Sequence, residues 1–292
     1  MYKVTLVQTM DREKGALKAI NLLEINPVRG KKVTIKPNFN TADPFPASTH
    51  SDTLRTFITT LKEMKPHNIL LAERSGMGNS LEVLEQKGAL VMGKELGFDV
   101  ISLDDVGSNE WVHLKPENSH WADGFYFSKT YSEAECVVQT CCLKTHRFGG
   151  HFTLSMKNSV GMVKRSNMKE LHSSPYQRQM IAEINQVYSP CLILLDGLEA
   201  FVTGGPEQGK RVVTSVMLAS QDRVAIDAVA VAILRLQGTT PEVTKGHIFA
   251  QDQIARAVEL KLGAQSAEEI EIITGDKKSQ ELAKELHPLL FV

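Results

Sequence analysis

The segment Cys136-Val-Val-Gln-Thr140 indicates how this chain folds. A short run of apolar and β-branched residues is typical of a strand that is buried on both faces, as in a parallel sheet. Similar runs lie at 3–8, 32–35, 68–72, 99–102, 191–195, 214–219 and 270–274. Between them, apolar residues recur at helical spacing at 11–23, 52–64, 80–96, 177–187, 223–236 and 247–261. This alternation predicts an α/β fold in which helices flank a mainly parallel sheet.

The length and composition fit a soluble globular protein. The chain has 292 residues, of which 42% are hydrophobic and 23% are charged, and this excludes a disordered or collagen-like chain. We predict a single domain over residues 1–292, because a domain of this size buries a sufficient core without disulfides. Two stretches that lack periodicity, 106–127 and 147–176, are predicted insertions.

The charge balance provides no general attraction to nucleic acid or to an anionic membrane, since the net charge is −1. No apolar run reaches the roughly 20 residues of a membrane helix, and the N-terminus does not resemble a signal peptide. We therefore expect a cytoplasmic protein that binds neither nucleic acid nor membrane. The four cysteines include no Cys-x-x-Cys pair, so the chain has no intrinsic motif for an iron–sulfur cluster or a zinc ribbon.

Polar residues come directly after four of the predicted strands. In chain order these residues are Lys36-Pro-Asn38, Glu73-Arg74, Cys141 to His146, and Asp196-Gly197. Ligands of open parallel sheets bind outside the carboxyl ends of the strands, where the following loops converge. The sequence therefore predicts a ligand crevice at this edge of the sheet.

One interpretation of the crevice is a metal site. Cys142, His146 and His151 lie within ten residues of one another, and a carboxylate such as Glu73 or Asp196 could complete four ligands. A thiolate, imidazoles and a carboxylate suit zinc, iron or nickel. The spacing Cys-x3-His-x4-His matches no zinc-finger pattern, so the metal prediction requires the fold to bring these side chains together.

A second interpretation is a site for a phosphate or carboxylate group. Charge-assisted hydrogen bonds would come from lysine and asparagine side chains, namely Lys36, Lys144, Lys157, Asn38 and Asn158. Arg147 and Lys164 belong to the same predicted cationic cluster. The glycine-rich loop 204–211, which contains Gly205, is expected to face the same site. Arg211 stands where a P-loop needs Ser or Thr to bind magnesium, and a predicted strand follows, so a Walker-type ATPase is excluded.

Two aspartates belong to the predicted helix 223–236. Asp222 precedes the helix and is a predicted N-cap. Asp227 lies among apolar residues, where a carboxylate must be paired or hydrogen-bonded. It could be a catalytic base or an orienting group, but we favour a structural carboxylate that fixes a loop.

Six motifs follow one another along the chain. They are Lys36-Pro-Asn38, Thr49-His-Ser-Asp52, Leu143-Lys-Thr-His146, Met156-Lys-Asn-Ser-Val-Gly161, Asp196-Gly197 with Gly204-Gly-Pro206, and the run from Ala219 to Asp227. Together they resemble the domain-of-unknown-function 362 family over about residues 30–275. The resemblance implies a redox-linked or metal-linked role, because many members are fused to or encoded with ferredoxin-type modules. This chain lacks those cysteine motifs, so any electrons would come from a separate electron-transfer protein.

The leading hypothesis is an enzyme that acts on a small anionic substrate, with assistance from a divalent metal (zinc, iron or nickel) as an option. The predicted catalytic residues are His146, Lys144 and Asp196. The predicted substrate-binding residues are Lys36, Asn38, Lys157, Asn158 and Gly205. The alternative is a non-catalytic protein that binds a phosphorylated or carboxylated metabolite or cofactor through the same side chains.

Overall fold

Nine of the eleven strands form one sheet, and the other two form a hairpin. The computed structural model describes residues 1–292. The strands are β1 (Tyr2–Gln8), β2 (Lys32–Lys36), β3 (Asn68–Glu73), β4 (Asp99–Ser102), β5 (Trp111–Leu114), β6 (Phe125–Ser128), β7 (Cys136–His146), β8 (His151–Thr153), β9 (Pro190–Gly204), β10 (Gly209–Ser220) and β11 (Ile270–Ile273).

The large sheet is mainly parallel, which confirms the predicted fold class. Its strand order is β11-β1-β10-β9-β7-β2-β3-β4, and β8 pairs with β7 outside this path. β4, β3, β2, β7 and β9 run parallel to one another. β10 is antiparallel to both of its neighbours, and β8 is antiparallel to β7. The carboxyl ends of β2, β3 and β7 therefore lie along one edge of the sheet.

Twelve α-helices accompany the strands. They are α1 (Arg12–Asn21), α2 (Ser51–Glu63), α3 (Ser80–Gln86), α4 (Ala89–Leu96), α5 (Lys129–Ser132), α6 (Ser155–Asn158), α7 (Met168–Ser173), α8 (Gln177–Ile184), α9 (Arg223–Leu236), α10 (Pro241–Thr244), α11 (Asp252–Glu259) and α12 (Lys277–Leu289). None of them is long and apolar enough to span a membrane.

The sheet separates two hydrophobic cores. On one face, α1 to α4 pack against the strands, and on the other face α9, α11 and α12 do so. α9 is buried on all sides from Arg223 to Leu234, as expected for a helix that is apolar all round. Asp222 caps this helix as predicted, because its carboxylate accepts a hydrogen bond from the N–H of Ala225 at 2.6 Å.

β7 extends well beyond the predicted end at residue 140. Its polar end continues as strand because β9 pairs with it as far as Lys144, opposite Phe201. On its other side, β8 pairs with it up to His146, opposite His151. The two partners satisfy the backbone N–H and C=O groups, so the change to polar side chains does not end the strand.

The two predicted insertions contain regular structure. The stretch 106–127 holds β5 and most of β6, which form the separate hairpin. The stretch 147–176 holds β8, α6 and α7. Together with α8, these segments enclose a third hydrophobic core. α6 brings Lys157 and Asn158 to the edge of the sheet where β7 ends.

Several helix boundaries differ from the prediction. The predicted helix 80–96 is divided into α3 and α4 by Gly88, whose φ of 71° is left-handed. The predicted helix 247–261 starts with a 3₁₀ turn, and its α-helical part, α11, is shorter. α12 was not predicted, although Asp276 caps it by accepting from the N–H of Ser279 at 2.8 Å.

Candidate functional site

A polar crevice opens at the carboxyl ends of β2, β3 and β7. Its deep part, the inner cavity, holds about 50 Å³ and is lined by Lys36, Asn38, Phe39, Asn40, Glu73, Arg74, Gly76, His146, Thr153, Lys157, Asn158, Val160, Gly161 and Pro206. It opens into an outer cavity of about 400 Å³, to which Met77, Phe148, Arg165, Met168 and His172 contribute. Arg74, His146 and Lys157 line both cavities.

Lys36 and Glu73 form a buried ion pair at the base of the crevice. They are the last residues of the adjacent strands β2 and β3. The Nζ atom of Lys36 lies 2.7 and 2.8 Å from the two carboxylate oxygens of Glu73. Gly161 lies against this pair, since a Cβ atom there would be 2.7 Å from the same Nζ atom. The charge of Lys36 is therefore already compensated within the protein.

Asn158, on α6, holds the backbone of Lys36 in place. Its amide nitrogen donates to the carbonyl groups of Lys36 and Thr140, at 3.2 Å each. Both of its N–H groups are used in this way, so Asn158 holds α6 against β2 and β7.

Lys144 orients Asn38 from behind the inner cavity. Its ammonium group is fully buried and donates to Oδ1 of Asn38 at 2.9 Å and to the carbonyl of Ala47. Burial lowers the pKa of Lys144 to about 8. Because Oδ1 of Asn38 accepts from Lys144, the Nδ2 group carries the donor hydrogens, and it makes no hydrogen bond within the protein.

Lys157 stands on α6 and makes no hydrogen bond or ion pair, although only 8% of it is exposed. Burial, followed by the charges of Lys144 and Arg74, lowers its pKa to about 7. The position of α6 is set by Asp227, whose carboxylate accepts from the N–H groups of Ser155 at 2.8 Å and Met156 at 3.0 Å. These two bonds fit the favoured interpretation of Asp227 as a structural carboxylate that fixes a loop.

Arg74 is a buried guanidinium without a carboxylate partner. It donates to the carbonyl groups of Val163 at 3.0 Å, of Ser75 at 3.2 Å and of Val160. Burial lowers its pKa to about 10, which leaves it charged at neutral pH. The sequence analysis placed Arg74 at a strand end but did not select it, although a charge directly after a buried strand was the available signal.

His146 is the last residue of β7, and its ring lies between two cavities. One is the crevice, and the other is a polar cavity of about 380 Å³ that His151 also lines. Its Nδ1 atom is buried and has no hydrogen-bond partner. Burial and the nearby charges of Lys157 and Lys144 hold the pKa of His146 well below its usual range. The imidazole is therefore neutral at pH 7.

The crevice has an excess of positive charge. Arg74 and Lys157 line the crevice, Lys144 is buried directly behind it, and none of the three is in an ion pair. Glu73 is the one carboxylate that lines either cavity, and Lys36 already compensates it. Buried charges without partners are costly, so this arrangement favours the binding of an anion.

The four predicted metal ligands do not meet. Cys142 lies in the core against α1 and α2. Glu73 is paired with Lys36 and shares the inner cavity with His146, whereas His146 and His151 line a separate cavity that neither Cys142 nor Glu73 reaches. Cys142 precedes His146 by four residues, about 13 Å along a strand at roughly 3.3 Å per residue. No group of three or more His, Cys, Asp or Glu side chains is placed to hold a metal ion. A metal remains a prediction from the sequence.

Asp196 and Gly205 also lie outside the lining of the crevice. Asp196, on β9, accepts from Nε of Arg12 at 2.8 Å and from the hydroxyl of Thr53, and so joins α1 and α2 to the sheet. Gly205 has a φ of 64° and donates to the carbonyl of Gln208 at 2.7 Å. Its loop faces the crevice through the next residue, Pro206.

Replacement of Asp196 with Ala is expected to affect stability and to leave ligand binding unchanged. The substitution leaves the partly buried guanidinium of Arg12 and the buried hydroxyl of Thr53 without an acceptor, which costs about 1–3 kcal/mol of unfolding free energy. Chemical denaturation measures this loss, and calorimetry measures anion affinity. Normal stability with lost turnover would instead restore the predicted catalytic role of Asp196.

A comparison of the sequence with family models identifies the family of the chain. The model described as "Domain of unknown function (DUF362)" matches residues 33–232, which is more than half of the chain. The chain belongs to the DUF362 family. No curated protein matches the sequence.

Solved structures with a similar fold are distant in sequence from this DUF362 chain. The lactate racemase apoprotein from Thermoanaerobacterium thermosaccharolyticum has a TM-score of 0.52 at 11% identity, over 98% of this chain and 86% of that chain. A protein from Thermotoga maritima has a TM-score of 0.48 at 9% identity, over 79% of this chain and 58% of that chain. The first likeness shows a shared α/β fold.

The residues carried over from the DUF362 motifs are divided between two places. Lys36, Asn38, His146, Lys157 and Asn158 line the inner cavity. Of the others, Lys144 and Asp227 contact these residues or their helix from behind, and Asp196 lies elsewhere. The sequence analysis missed Asn40 as a lining residue, because its proximity depends on how the loop after β2 folds.

Proposed function

We propose that this DUF362 chain is an enzyme that acts on a small anionic substrate held in the crevice. The observation that supports the proposal is the convergence of three buried cationic side chains without carboxylate partners, Arg74, Lys144 and Lys157. An anionic group that enters the crevice would compensate their charge. Charge-assisted hydrogen bonds are about twice as strong as neutral ones, which favours a carboxylate or phosphate over a neutral ligand.

The anionic group of the substrate fits the inner cavity best. The free Nδ2 donors of Asn38 and the unpartnered hydroxyl of Thr153 are available there. A cavity of roughly 10–15 Å³ holds one water molecule, so an inner cavity of about 50 Å³ admits a group of carboxylate size. The rest of the substrate would occupy the outer cavity of about 400 Å³.

Lys157 is the residue best suited to exchange a proton with the substrate. General acid–base catalysis is most efficient when the pKa of the group is near the working pH, and the pKa of Lys157 is lowered to about 7. His146, which the sequence suggested for this role, is kept neutral by burial and nearby cations. Its ring would instead accept or donate one hydrogen bond and so orient the substrate beside Lys157.

A non-catalytic binding protein is the second candidate. One observation favours it: Glu73, the one carboxylate in the crevice, is paired with Lys36, so no free carboxylate base faces a ligand.

The lactate racemase that shares the fold acts on a small carboxylate, which is the ligand class proposed here. A separate electron-transfer partner and a cytoplasmic location stay predictions.

The proposal predicts that Lys157→Met removes most of the turnover. The protein would be incubated with mixtures of small carboxylates and phosphate monoesters, and NMR would follow loss of substrate and exchange of protons with D₂O. We expect the variant to be slower by at least about 100-fold, the usual range for a lost general acid or base. Lys169→Met is the matched control, because Lys169 is exposed on α7.

The outcomes separate the two candidates. Turnover by the native chain and the control, but not by Lys157→Met, supports the enzyme. Saturable binding without turnover of any compound supports the binding protein. Equal turnover by Lys157→Met and the native chain would contradict the role of Lys157.

A further inference from the structure

Lys157 differs from the other lysines of the site because its amine has no hydrogen-bond or ion-pair partner within the protein. Lys36 is held by Glu73, and Lys144 is held by Asn38 and Ala47. The Nζ atom of Lys157 has no hydrogen-bond acceptor, although the residue is only 8% exposed. An amine in this position is both protected from bulk solvent and available to a ligand, since Lys157 lines the inner and the outer cavity.

The imidazole ring of His146 lies beside the side chain of Lys157. Gly150 packs against both side chains: a Cβ atom there would lie 2.8 Å from Nδ1 of His146 and 2.9 Å from Cε of Lys157. The lysine stem and the imidazole therefore lie side by side on one glycine. Arg74 lines the same two cavities and remains charged. A substrate whose anionic group lies in the inner cavity would extend past the Lys157 amine.

We propose that the amine of Lys157 forms a covalent imine with a carbonyl group of the substrate. This inference rests on the proposed function and narrows its substrate class to aldehydes and ketones that carry a carboxylate or phosphate. A lysine becomes a nucleophile when desolvation or a neighbouring cation keeps part of it unprotonated. Both conditions are met at Lys157, which is buried and lines the same two cavities as the charged Arg74.

The reaction is balanced without any co-reactant. The lone pair of the neutral amine attacks the carbonyl carbon, a C–N bond forms, and the electron pair of the C=O π bond moves to oxygen. The oxygen then leaves as water with the two hydrogens of the amine, and a C=N bond remains. Neither partner is oxidised or reduced. The neutral ring of His146 lies beside the lysine stem and would orient the carbonyl group through one hydrogen bond.

Reductive trapping tests this proposal. The native protein would be incubated with cyanoborohydride and each of three probes: glyoxylate, pyruvate and glycolaldehyde phosphate. Acetaldehyde is the uncharged control probe. Mass spectrometry of the intact chain and of its peptides would then count and locate the adducts. We expect one adduct per chain with an anionic probe, located on Lys157.

Two variants separate this proposal from the proposed function. Lys157→Arg keeps the positive charge but cannot form an imine, so it should lose the adduct and still bind sulfate in a calorimeter. Lys169→Arg changes an exposed lysine and should be trapped like the native chain.

The results that overturn the inference are distinct. Probes that bind but are never trapped, or that label exposed lysines as readily as Lys157, would refute the imine and leave the anion site intact. Failure of sulfate and of all probes to bind the native chain would refute both proposals.

Discussion

Raising the pH from 7 to 9 is expected to weaken the binding of sulfate to this protein by about 100-fold. Sulfate is the suitable probe because it keeps the same charge over this range. The expected loss comes mainly from Lys157, whose pKa is lowered to about 7 by burial and by the charges of Lys144 and Arg74. Above that pH the free protein loses the proton, and the anion must restore it in order to bind an ammonium group.

The direction of this pH effect follows because anion binding and proton binding are linked. A bound anion raises the pKa of the lysine, so binding takes up a proton, and affinity falls by up to about tenfold for each pH unit above the pKa of the free protein. Lys144, with a pKa of about 8, adds a smaller loss above pH 8. Arg74 stays charged throughout, since its pKa is lowered only to about 10. Calorimetric titration at several pH values measures the profile.

The control for this prediction is Lys157→Met. The variant should bind sulfate more weakly at pH 7 and should show little change between pH 7 and 8, because Lys157 no longer titrates. A native profile that is flat between pH 7 and 9 would mean that the charge of neither lysine contributes to anion binding.

Replacement of Asp227 with Ala is expected to destabilise the fold by about 3 kcal/mol or more. The carboxylate accepts from the buried N–H groups of Ser155 and Met156. Each buried donor left without an acceptor costs about 1–3 kcal/mol. Because α6 also carries Lys157, the loss of these bonds should weaken sulfate binding as well. Chemical denaturation and calorimetry on the same preparation measure the two effects.

Asp227→Asn is a more conservative substitution, and its effect on stability is expected to depend on pH. Burial raises the pKa of Asp227 from its ordinary value of 3.8 to about 7. Between those values the unfolded chain loses the proton while the folded chain keeps it, so the native fold loses stability as the pH rises through this range. Asn cannot titrate, and its cost relative to the native chain should therefore be smaller at pH 8 than at pH 5. A cost that grows with pH would contradict this assignment.

The sheet could be predicted from sequence because its strands are short apolar runs bounded by polar residues. The ends of these strands could be predicted less accurately. β7 looks as if it ends at residue 140, yet pairing with β8 and β9 extends it to His146. Such pairing involves residues far apart in the chain, and local composition does not show it.

The location of the site could be predicted, but the roles of several residues could not. Lys36 and Glu73 were selected for different purposes, as an anion ligand and a metal ligand. Both lie at the ends of adjacent parallel strands, and two opposite charges buried together form an ion pair. The sequence shows each strand end separately and does not show that β2 and β3 are neighbours.

Asp196 illustrates a second limit. It follows an apolar run, as Glu73 does, but β9 continues through it, and its carboxylate meets Arg12 and Thr53. Consecutive side chains of a strand point to opposite faces, so an error of one residue in a strand end changes the face. The contact of Asp227 with α6 is a third case, since it joins positions 72 residues apart.

The most direct test of the anion site is a calorimetric titration of the native chain, Lys157→Met and Lys169→Met with sulfate at pH 6.5. The account predicts one saturable site per chain in the native protein and in Lys169→Met. In Lys157→Met the affinity should fall by about tenfold or more, since a hydrogen bond to a charged group contributes about 1.5–3 kcal/mol. Absence of saturable binding, or equal affinity in Lys157→Met, would contradict the account.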